Sequence, residues 1–357
     1  MNHKNIWQLF IPLYTFVMHQ PLSAMLKKIL LALVSLLLVL ALGFALFVWS
    51  SWDKTYDIKG PNLQVSTDSA VIAKGKYLVH GPAHCSTCHV ATYQDMIKSD
   101  EGEAVALQGG VSFPMGPLGT LSPPNLTPDP TTGLGRYTDE QVFRMMRHAI
   151  KPDGTATLSV LMPFWNMADE DLVAIVSYLR SMQPVQHEVQ PPQYTLMGKV
   201  IRTLAPTFKP ILDPVAPKTA PPMAATIERG KYLAHYVANC VGCHTERDQA
   251  TFDAIDAEFA GGMEFEPFSD LYKELNVDPD LWMRSPNITR AANSALANYP
   301  TKEEWIARFR QGRTISYSPM DWGPFSRMTD EDLEAIWLYL QSLEPVEKEI
   351  GPLVFKK

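Results

Sequence analysis

A five-residue motif, C-x-x-C-H, occurs twice in this 357-residue chain, at Cys85–His89 and at Cys240–His244. The copies lie 155 residues apart, and four further features recur around them in the same order. These are G-K-Y-L at 75 and 230, P-N-(L/I)-T at 124 and 286, T-x-x-(Q/E) at 138 and 301, and D-E-D-L-x-A-I-x-x-Y-L at 169 and 330. Five features in one order indicate a duplicated domain, because two units of this length are too few for a solenoid.

Each copy is predicted to end in a helix. In 169–179 and in 330–340 apolar residues recur with a period near 3.6, acidic residues fill the first turn, and a proline follows. The T-x-x-(Q/E) patterns are capping boxes that predict another helix start in each copy. No β alternation stands out beyond the N-terminal segment, so we predict an all-α fold of two tandem domains, at 68–185 and 224–346. Proline-rich residues 186–223 are predicted to be a linker, interrupted by a short helix around 197–204.

An uncharged, apolar stretch from 29 to 52 is long enough to cross a membrane as one helix. Two lysines precede it and an aspartate follows, so the positive-inside rule places residues 1–28 in the cytoplasm and the domains outside. A cleaved signal peptide is the alternative, but the stretch is longer than a signal h-region, and Phe47–Trp49 at its end is a poor cleavage site. Met25, followed by Leu-Lys-Lys, is typical of a natural translation start. Residues 1–24 are therefore interpreted as an over-called extension.

Charge is unevenly distributed along the chain. The formal net charge is −7, and because the first 52 residues contribute three lysines and no acid, the remainder carries −10. An acidic body argues against nucleic-acid binding, which needs a basic face. The sequence also contains no G-x-G-x-x-G, P-loop or G-x-S-x-G fingerprint.

C-x-x-C-H is the attachment signature of c-type haem. Two thiols on one face of a helical turn can bond the two vinyl groups of a porphyrin, and the following histidine then projects its imidazole at the iron. A redox dithiol and a zinc site are the alternatives, but no thioredoxin-like pattern surrounds the motifs, and a shared four-thiolate zinc cage would leave both histidines unused. We therefore predict two covalently bound haem c groups. The predicted attachment and axial residues are Cys85, Cys88 and His89 in the first copy, and Cys240, Cys243 and His244 in the second.

With these motifs the chain resembles the class I cytochrome c family, specifically membrane-anchored dihaem c-type cytochromes similar to the cytochrome subunits of bacterial periplasmic dehydrogenases. The resemblance rests on C-x-x-C-H, a methionine beside a proline, and the closing helix of each copy. It implies that Met162 and Met320 are the second axial ligands. Met167 competes with Met162, because the first copy is three residues shorter between this methionine and the closing helix. Met328 is a less favoured alternative to Met320.

Other recurring residues have both a structural and a functional interpretation. Asn125 and Asn287 occupy loops where similar cytochromes place polar groups near a haem propionate, but turn formation explains them as well. Arg147 and Arg310 could pair with a propionate or be solvated helix-face charges.

The matching histidines at 80 and 235 are interpreted as helix-face residues. Tyr77 with Tyr178, and Tyr232 with Tyr339, are predicted to seal the crossing of the first and last helices of each copy.

His/Met ligation fills both axial positions, which suits outer-sphere electron transfer and leaves no open site for substrate. The sequence therefore predicts a single-pass, membrane-anchored dihaem electron carrier, or the electron-transfer subunit of a dehydrogenase, and not an enzyme by itself. No catalytic residue is predicted. The haem domains would face the periplasm from a bacterial inner membrane, with a dehydrogenase, a quinol-oxidising complex or a terminal oxidase as redox partner. The alternative is a dihaem peroxidase-like enzyme with one five-coordinate haem, which the shorter first distal loop would favour.

Overall fold

A computed structural model describes residues 24–248, 251–267, 269–278, 280–315 and 318–357. The chain divides into two compact units, the part up to Trp52 and the part from Asp53 to Lys357. The described part of the first unit is a helix, α1 (Ala24–Ser51), and it alone among the described residues is long and apolar enough to cross a membrane. The predicted cytoplasmic segment, 1–28, lies mostly outside the described residues.

The second unit is rich in helix. Its described α-helices are α2 (Ser69–His80), α3 (Cys85–Cys88), α4 (Tyr93–Asp100), α5 (Asp139–His148), α6 (Asp169–Ser181), α7 (Leu196–Leu204), α8 (Ile227–Tyr232), α9 (Cys240–Cys243), α10 (Ser269–Glu274), α11 (Lys302–Arg310), α12 (Trp322–Ser326) and α13 (Asp330–Ser342). A turn of π-helix, Leu233–Val237, continues α8. Short 3-10 turns lie at Gly116–Leu118, Leu134–Arg136, Ser159–Leu161, Pro206–Phe208 and Ala295–Asn298. We call residues 68–185 the first repeat and residues 224–346 the second repeat.

The predicted helix starts are confirmed by their caps. Helix α5 begins after Thr138 and α11 after Thr301, and both carry a complete capping box. Helices α6 and α13 begin at the predicted acidic turns, where carboxylates complement the positive end of the helix dipole. The helix predicted inside the proline-rich segment is α7.

In each repeat the first helix crosses the last helix at a glycine. A side chain on Gly75 of α2 would lie 1.9 Å from the Ala174 carbonyl oxygen of α6, and one on Gly230 of α8 would lie 1.9 Å from the Ala335 carbonyl oxygen of α13. Only hydrogen fits at such a distance, so the two backbones are in direct contact at both crossings. The G-K-Y-L repeat therefore marks the helix crossing.

Two small antiparallel sheets add to the helices. Strands β1 (Phe113–Pro114), β2 (Gly119–Leu121) and β3 (Gln193–Tyr194) form one, and β4 (Glu264–Phe265), β5 (Trp282–Arg284) and β6 (Val354–Phe355) form the other. The expectation of a purely helical fold therefore needs correction. Strands of two or three residues are too short to show an alternating sequence pattern. Because β3 and β6 follow the repeats in the chain and pair back onto them, each repeat extends into the segment behind it.

The two repeats share one apolar core and exchange hydrogen bonds. The Tyr77 hydroxyl donates to Asp332 at 2.7 Å, and the Tyr232 hydroxyl donates to Asp171 at 2.6 Å. The hydroxyl groups of Tyr77 and Tyr232 thus bind the other repeat, a contact that the predicted seal between the first and last helices of each copy did not include. Tyr178 and Tyr339 do stay within their own repeats, where their hydroxyl groups lie 2.9 and 2.7 Å from the Nε2 atoms of the predicted helix-face histidines, at 80 and 235.

Each of these aspartates also binds a cation of its own repeat. The Lys74 ammonium lies 2.6 Å from Asp171, and the Arg229 guanidinium lies 2.8 Å from Asp332. Both carboxylates are fully buried, and a buried carboxylate must be paired and hydrogen-bonded to remain charged. Burial acts to lower the pKa of Arg229, but the hydrogen bonds and charge of Asp332 outweigh it and raise that pKa. The repeats thus meet at two matching cation–carboxylate–tyrosine clusters.

Candidate haem sites

Both C-x-x-C-H motifs fold into the same local structure. The two cysteines are the first and last residues of a single helical turn, α3 in the first repeat and α9 in the second. The backbone N–H of the following histidine closes the turn. His89 N–H donates to the Cys85 carbonyl oxygen at 3.0 Å, and His244 N–H donates to the Cys240 carbonyl oxygen at 2.8 Å. All four thiols are free of disulfides. This turn presents two thiols and an imidazole together, as covalent attachment of a porphyrin requires.

The residue before each cysteine pair has left-handed backbone geometry, with φ of 40° at His84 and 50° at Asn239. This conformation starts the turn abruptly after the preceding helix, and His and Asn tolerate it better than most residues. Sequence reasoning did not identify these two positions.

A proline carbonyl orients each motif histidine. Nδ1 of His89 lies 2.9 Å from the Pro124 oxygen, and Nδ1 of His244 lies 2.9 Å from the Pro286 oxygen. Because a carbonyl only accepts, Nδ1 carries the proton and Nε2 keeps a lone pair for a metal. Burial lowers the pKa of His89 to about 4 and also lowers the pKa of His244, so both imidazoles are neutral at neutral pH.

Two glycines allow these proline loops to approach the histidines. Gly109 has φ of +64° and donates to the His89 carbonyl at 3.0 Å, and Gly261 has φ of +72° and donates to the His244 carbonyl at 2.8 Å. A side chain at Gly109 would lie 2.4 Å from the Pro124 backbone, and one at Gly261 would lie 2.5 Å from the Pro286 backbone. Sequence reasoning missed both glycines and the proline carbonyls, although the recurring P-N-(L/I)-T segment was a signal for the latter.

The predicted methionine ligands occupy matching turns. The Met162 carbonyl accepts from Phe164 N–H at 2.8 Å, and the Met320 carbonyl accepts from Trp322 N–H at 2.8 Å. Both side chains are half-buried at the edge of the core. The competing Met167 and Met328 are only 0% and 2% exposed and pack inside the core. The ligand role of Met162 and Met320 stays a prediction, and their shared turn favours them over the buried pair.

The two arginines predicted as propionate contacts hold the loop before the closing helix. Arg147 donates to the Trp165 carbonyl at 2.6 Å, to the Met167 carbonyl at 2.8 Å and to Asp169 at 2.6 Å. Arg310 contacts the carbonyls of Ser326 and Met328, and Asp330. The arginines therefore tie the segment that carries the candidate methionine to the start of α6 or α13.

The asparagines also have matching protein partners. Asn125 donates to the Val185 carbonyl at 2.8 Å, and Asn287 donates to the Val346 carbonyl at 2.7 Å. Their oxygens accept from the backbone and hydroxyl of the threonine two residues on. These bonds fasten the proline loop to the last residue of each repeat, and a propionate contact stays a prediction for all four polar residues.

The two candidate sites adjoin each other. Nδ1 of His84, next to Cys85, lies 3.3 Å from the carboxylate of Asp321, next to Met320. The His84 ring also lies between Phe164 and Phe325, with centroid distances of 6.4 and 5.6 Å. Phe164 and Phe325 occupy equivalent positions before the closing helices of the two repeats. Because His84 contacts Asp321 and Phe325, the attachment turn of the first repeat faces the methionine loop of the second.

This geometry fits haem better than zinc. A zinc cage would need the two cysteine pairs to converge. Among the described residues, which include all four cysteines and both motif histidines, no three His, Cys, Asp or Glu side chains are grouped to hold a metal ion. Each motif instead offers two free thiols and one imidazole with its Nε2 lone pair available, which is the donor set of a c-type haem.

The sequence profile of the cytochrome c family matches residues 227–344. The chain contains a cytochrome c domain. The matched segment covers the second repeat, and a cytochrome c domain implies a covalently bound haem c and a part in electron transport.

Known proteins similar to this chain include cytochrome subunits of dehydrogenases. It is 31% identical over 299 residues to the cytochrome c subunit of alcohol dehydrogenase (quinone) of Gluconacetobacter polyoxogenes, covering 80% of this chain and 58% of that protein. It is 27% identical over 322 residues to the fructose dehydrogenase cytochrome subunit of Gluconobacter japonicus, covering 79% and 54%. It is 23% identical over 282 residues to a dihaem c-type cytochrome of Cereibacter sphaeroides, covering 74% and 83%. The chain thus spans little more than half of the first two relatives.

Proposed function

We propose that this chain is a membrane-anchored dihaem electron-transfer subunit that serves a dehydrogenase. Haem c supplies an iron centre that cycles between the ferrous and ferric states. Cys85, Cys88 and His89 would hold one haem, and the equivalent residues at 240, 243 and 244 would hold the other. Met162 and Met320 would complete the two ligand sets.

The observation that carries this proposal is the matching geometry of the two repeats. Each has the same attachment turn, the same Nδ1-to-proline bond at 2.9 Å and the same turn at its candidate methionine. A chain with one electron-transfer haem and one substrate-binding haem would differ at the methionine. The equivalence of Met162 and Met320 therefore supports two six-coordinate sites over a peroxidase-like enzyme.

The arrangement of the sites supports a relay. His84 and Asp321 bring the attachment turn of one repeat to the methionine loop of the other. The two cation–carboxylate–tyrosine clusters fix how the repeats pack together, so the separation of the sites would stay constant. Constant separation favours electron transfer between two centres over a role in binding substrate.

Partner and location follow from the relatives and from α1. Two of the relatives are cytochrome subunits of named dehydrogenases, which supports a dehydrogenase as electron donor. Helix α1 has the length and composition of a membrane span, and the charge flanking it would place the second unit in the periplasm. The chain would then hold its haems beside the outer face of the inner membrane.

Optical titration of the purified full chain tests the proposal. We expect two one-electron steps, the far-red band of methionine-ligated ferric haem, and poor binding of carbon monoxide by the reduced protein. Stoichiometric binding of carbon monoxide to one haem of the native protein would contradict the proposal and favour the peroxidase-like alternative.

A further inference from the structure

Helix α7 exposes an apolar face. Leu196, Met197 and Leu204 are 84%, 56% and 54% exposed, and the partly exposed Val200 lies between them. At ~100° per residue these four side chains fall within an arc of about 100° on the helix. Such a stripe normally faces a protein core or a membrane.

The opposite face of α7 is fixed to the first repeat. Gly198 packs against the Leu118 backbone, where a side chain would lie 2.0 Å from the carbonyl oxygen. The buried guanidinium of Arg202 donates to the Tyr194 hydroxyl at 2.6 Å and to the Ala156 carbonyl at 3.0 Å. The helix therefore cannot turn its apolar face inward, and the exposure is a built feature of the fold.

Helix α7 is tied to the first residues of the second unit. Thr55 is the third residue after Trp52, where the first unit ends. Thr55 pairs with Thr155, and the neighbouring Ala156 accepts the hydrogen bond from Arg202 of α7. The helix is thus attached beside the segment that leaves the predicted membrane span.

The charge around α7 is unlike that of the rest of the chain. Residues 189–212 contain Lys199, Arg202 and Lys209 and no acidic residue, although the chain as a whole carries −7. Burial, together with the positive charge of Lys54, lowers the pKa of Lys209. An apolar helix face beside lysines is the pattern of a helix that lies on an anionic lipid surface.

We propose that the apolar face of α7 rests in the headgroup region of the membrane that α1 spans, with Lys54 and Lys209 beside the anionic lipid phosphates. This inference depends on the membrane anchoring proposed above. Two points of attachment, α1 and α7, would fix the orientation of the first repeat on the membrane, which one flexible tether would not do.

Spin labelling of the full-length holoprotein tests this surface. Each native cysteine would be consumed by a haem thioether, so Leu196→Cys introduces a single reactive thiol. Ile255→Cys in the second repeat is the matched control, since Ile255 is also aliphatic and is 60% exposed. Both variants are reconstituted into vesicles of phosphatidylcholine and phosphatidylglycerol. The collision rates of the label with oxygen and with a water-soluble nickel chelate are then measured.

We expect a ratio of oxygen to nickel collisions severalfold higher at position 196 than at position 255. Equal, water-like ratios at both positions in vesicle-bound protein would overturn the membrane contact while leaving the α1 anchor intact. A label at 196 shielded from both probes would also overturn it, because a protein surface would then cover the face. Protein that fails to float with the vesicles would refute the anchor itself, and with it this inference.

Discussion

The Tyr77 hydroxyl donates a hydrogen bond of 2.7 Å to the Asp332 carboxylate, and these residues belong to different repeats. The equivalent pair, Tyr232 and Asp171, makes the reciprocal contact at 2.6 Å. Each tyrosine also accepts a backbone N–H from the other repeat, from Thr329 at 3.2 Å or Ala168 at 3.0 Å. Each repeat therefore contributes one tyrosine that hydrogen-bonds to the buried carboxylate of the other repeat, and these two contacts join the repeats.

Tyr77→Phe and Tyr232→Phe should each lower the free energy of unfolding by about 2 kcal/mol, because a hydrogen bond to a buried carboxylate is worth about 1.5–3 kcal/mol. Urea unfolding followed by circular dichroism measures this. Tyr178→Phe is the matched control: its hydroxyl pairs with a neutral histidine of its own repeat, so its loss should cost about 1 kcal/mol. Equal losses in all three variants would contradict a special role for the contact between repeats.

Gly109→Ala should displace the proline loop that orients His89. The added carbon would lie 2.4 Å from the Pro124 backbone, and alanine is also disfavoured at φ of +64°, so we expect a loss of about 3 kcal/mol in stability. Gly116→Ala is the control, since Gly116 has φ of +51° with no atom within 4 Å and should lose only about 1 kcal/mol. Urea unfolding compares the two, and a similar loss in both would show that the Pro124 loop adapts.

Met320→His should lower the reduction potential of one haem by on the order of 100 mV, because bis-histidine ligation stabilises ferric iron relative to His/Met ligation. Potentiometric titration separates the two centres. Met328→Leu is the control, since Met328 is a buried core residue and its replacement should leave both potentials nearly unchanged. If Met328→Leu shifts a potential and Met320→His does not, the ligand assignment is reversed.

Acidification should destabilise the protein through His80. Burial, together with the charges of Arg327 and Lys76, lowers the pKa of His80 from 6.5 to about 4. Between these values the unfolded chain binds the additional proton, so this contribution to stability is present above pH 6.5 and is lost as the pH falls through about 4. Urea midpoints measured across this range should fall less steeply for His80→Gln than for the native protein. Parallel slopes would show that His80 is accessible to solvent and titrates normally in the folded state.

Much of this arrangement could be predicted from the sequence, because local patterns determine it. The capping boxes at Thr138 and Thr301 and the acidic turns of α6 and α13 act through hydrogen bonds and dipoles within a few residues. The C-x-x-C-H turns are equally local. The repeat then showed that both attachment turns recur with the same surroundings.

The contacts between distant segments could not be predicted. Tyr77 and Tyr178 lie on the first and last helices of one repeat, and no pattern in the chain says that Tyr77 binds the other repeat. The recurring P-N-(L/I)-T segment marks the Pro124 loop, but it does not say that the Pro124 carbonyl accepts from His89, since every residue has a carbonyl. The hydrogen bonds of Asn125 to the Val185 carbonyl and of Arg147 to Asp169 could not be predicted for the same reason, because they join segments that are distant in the chain.

Intact-mass spectrometry of the full chain, made in cells that attach c-type haem, tests the central claim most directly. The account predicts a mass increase of two haem groups, and of one when Cys85 and Cys88 are both replaced by alanine. The remaining haem should be absent when Cys240 and Cys243 are replaced as well. A native chain that carries one haem or none, or that loses no haem in the Cys85→Ala, Cys88→Ala variant, would contradict the account.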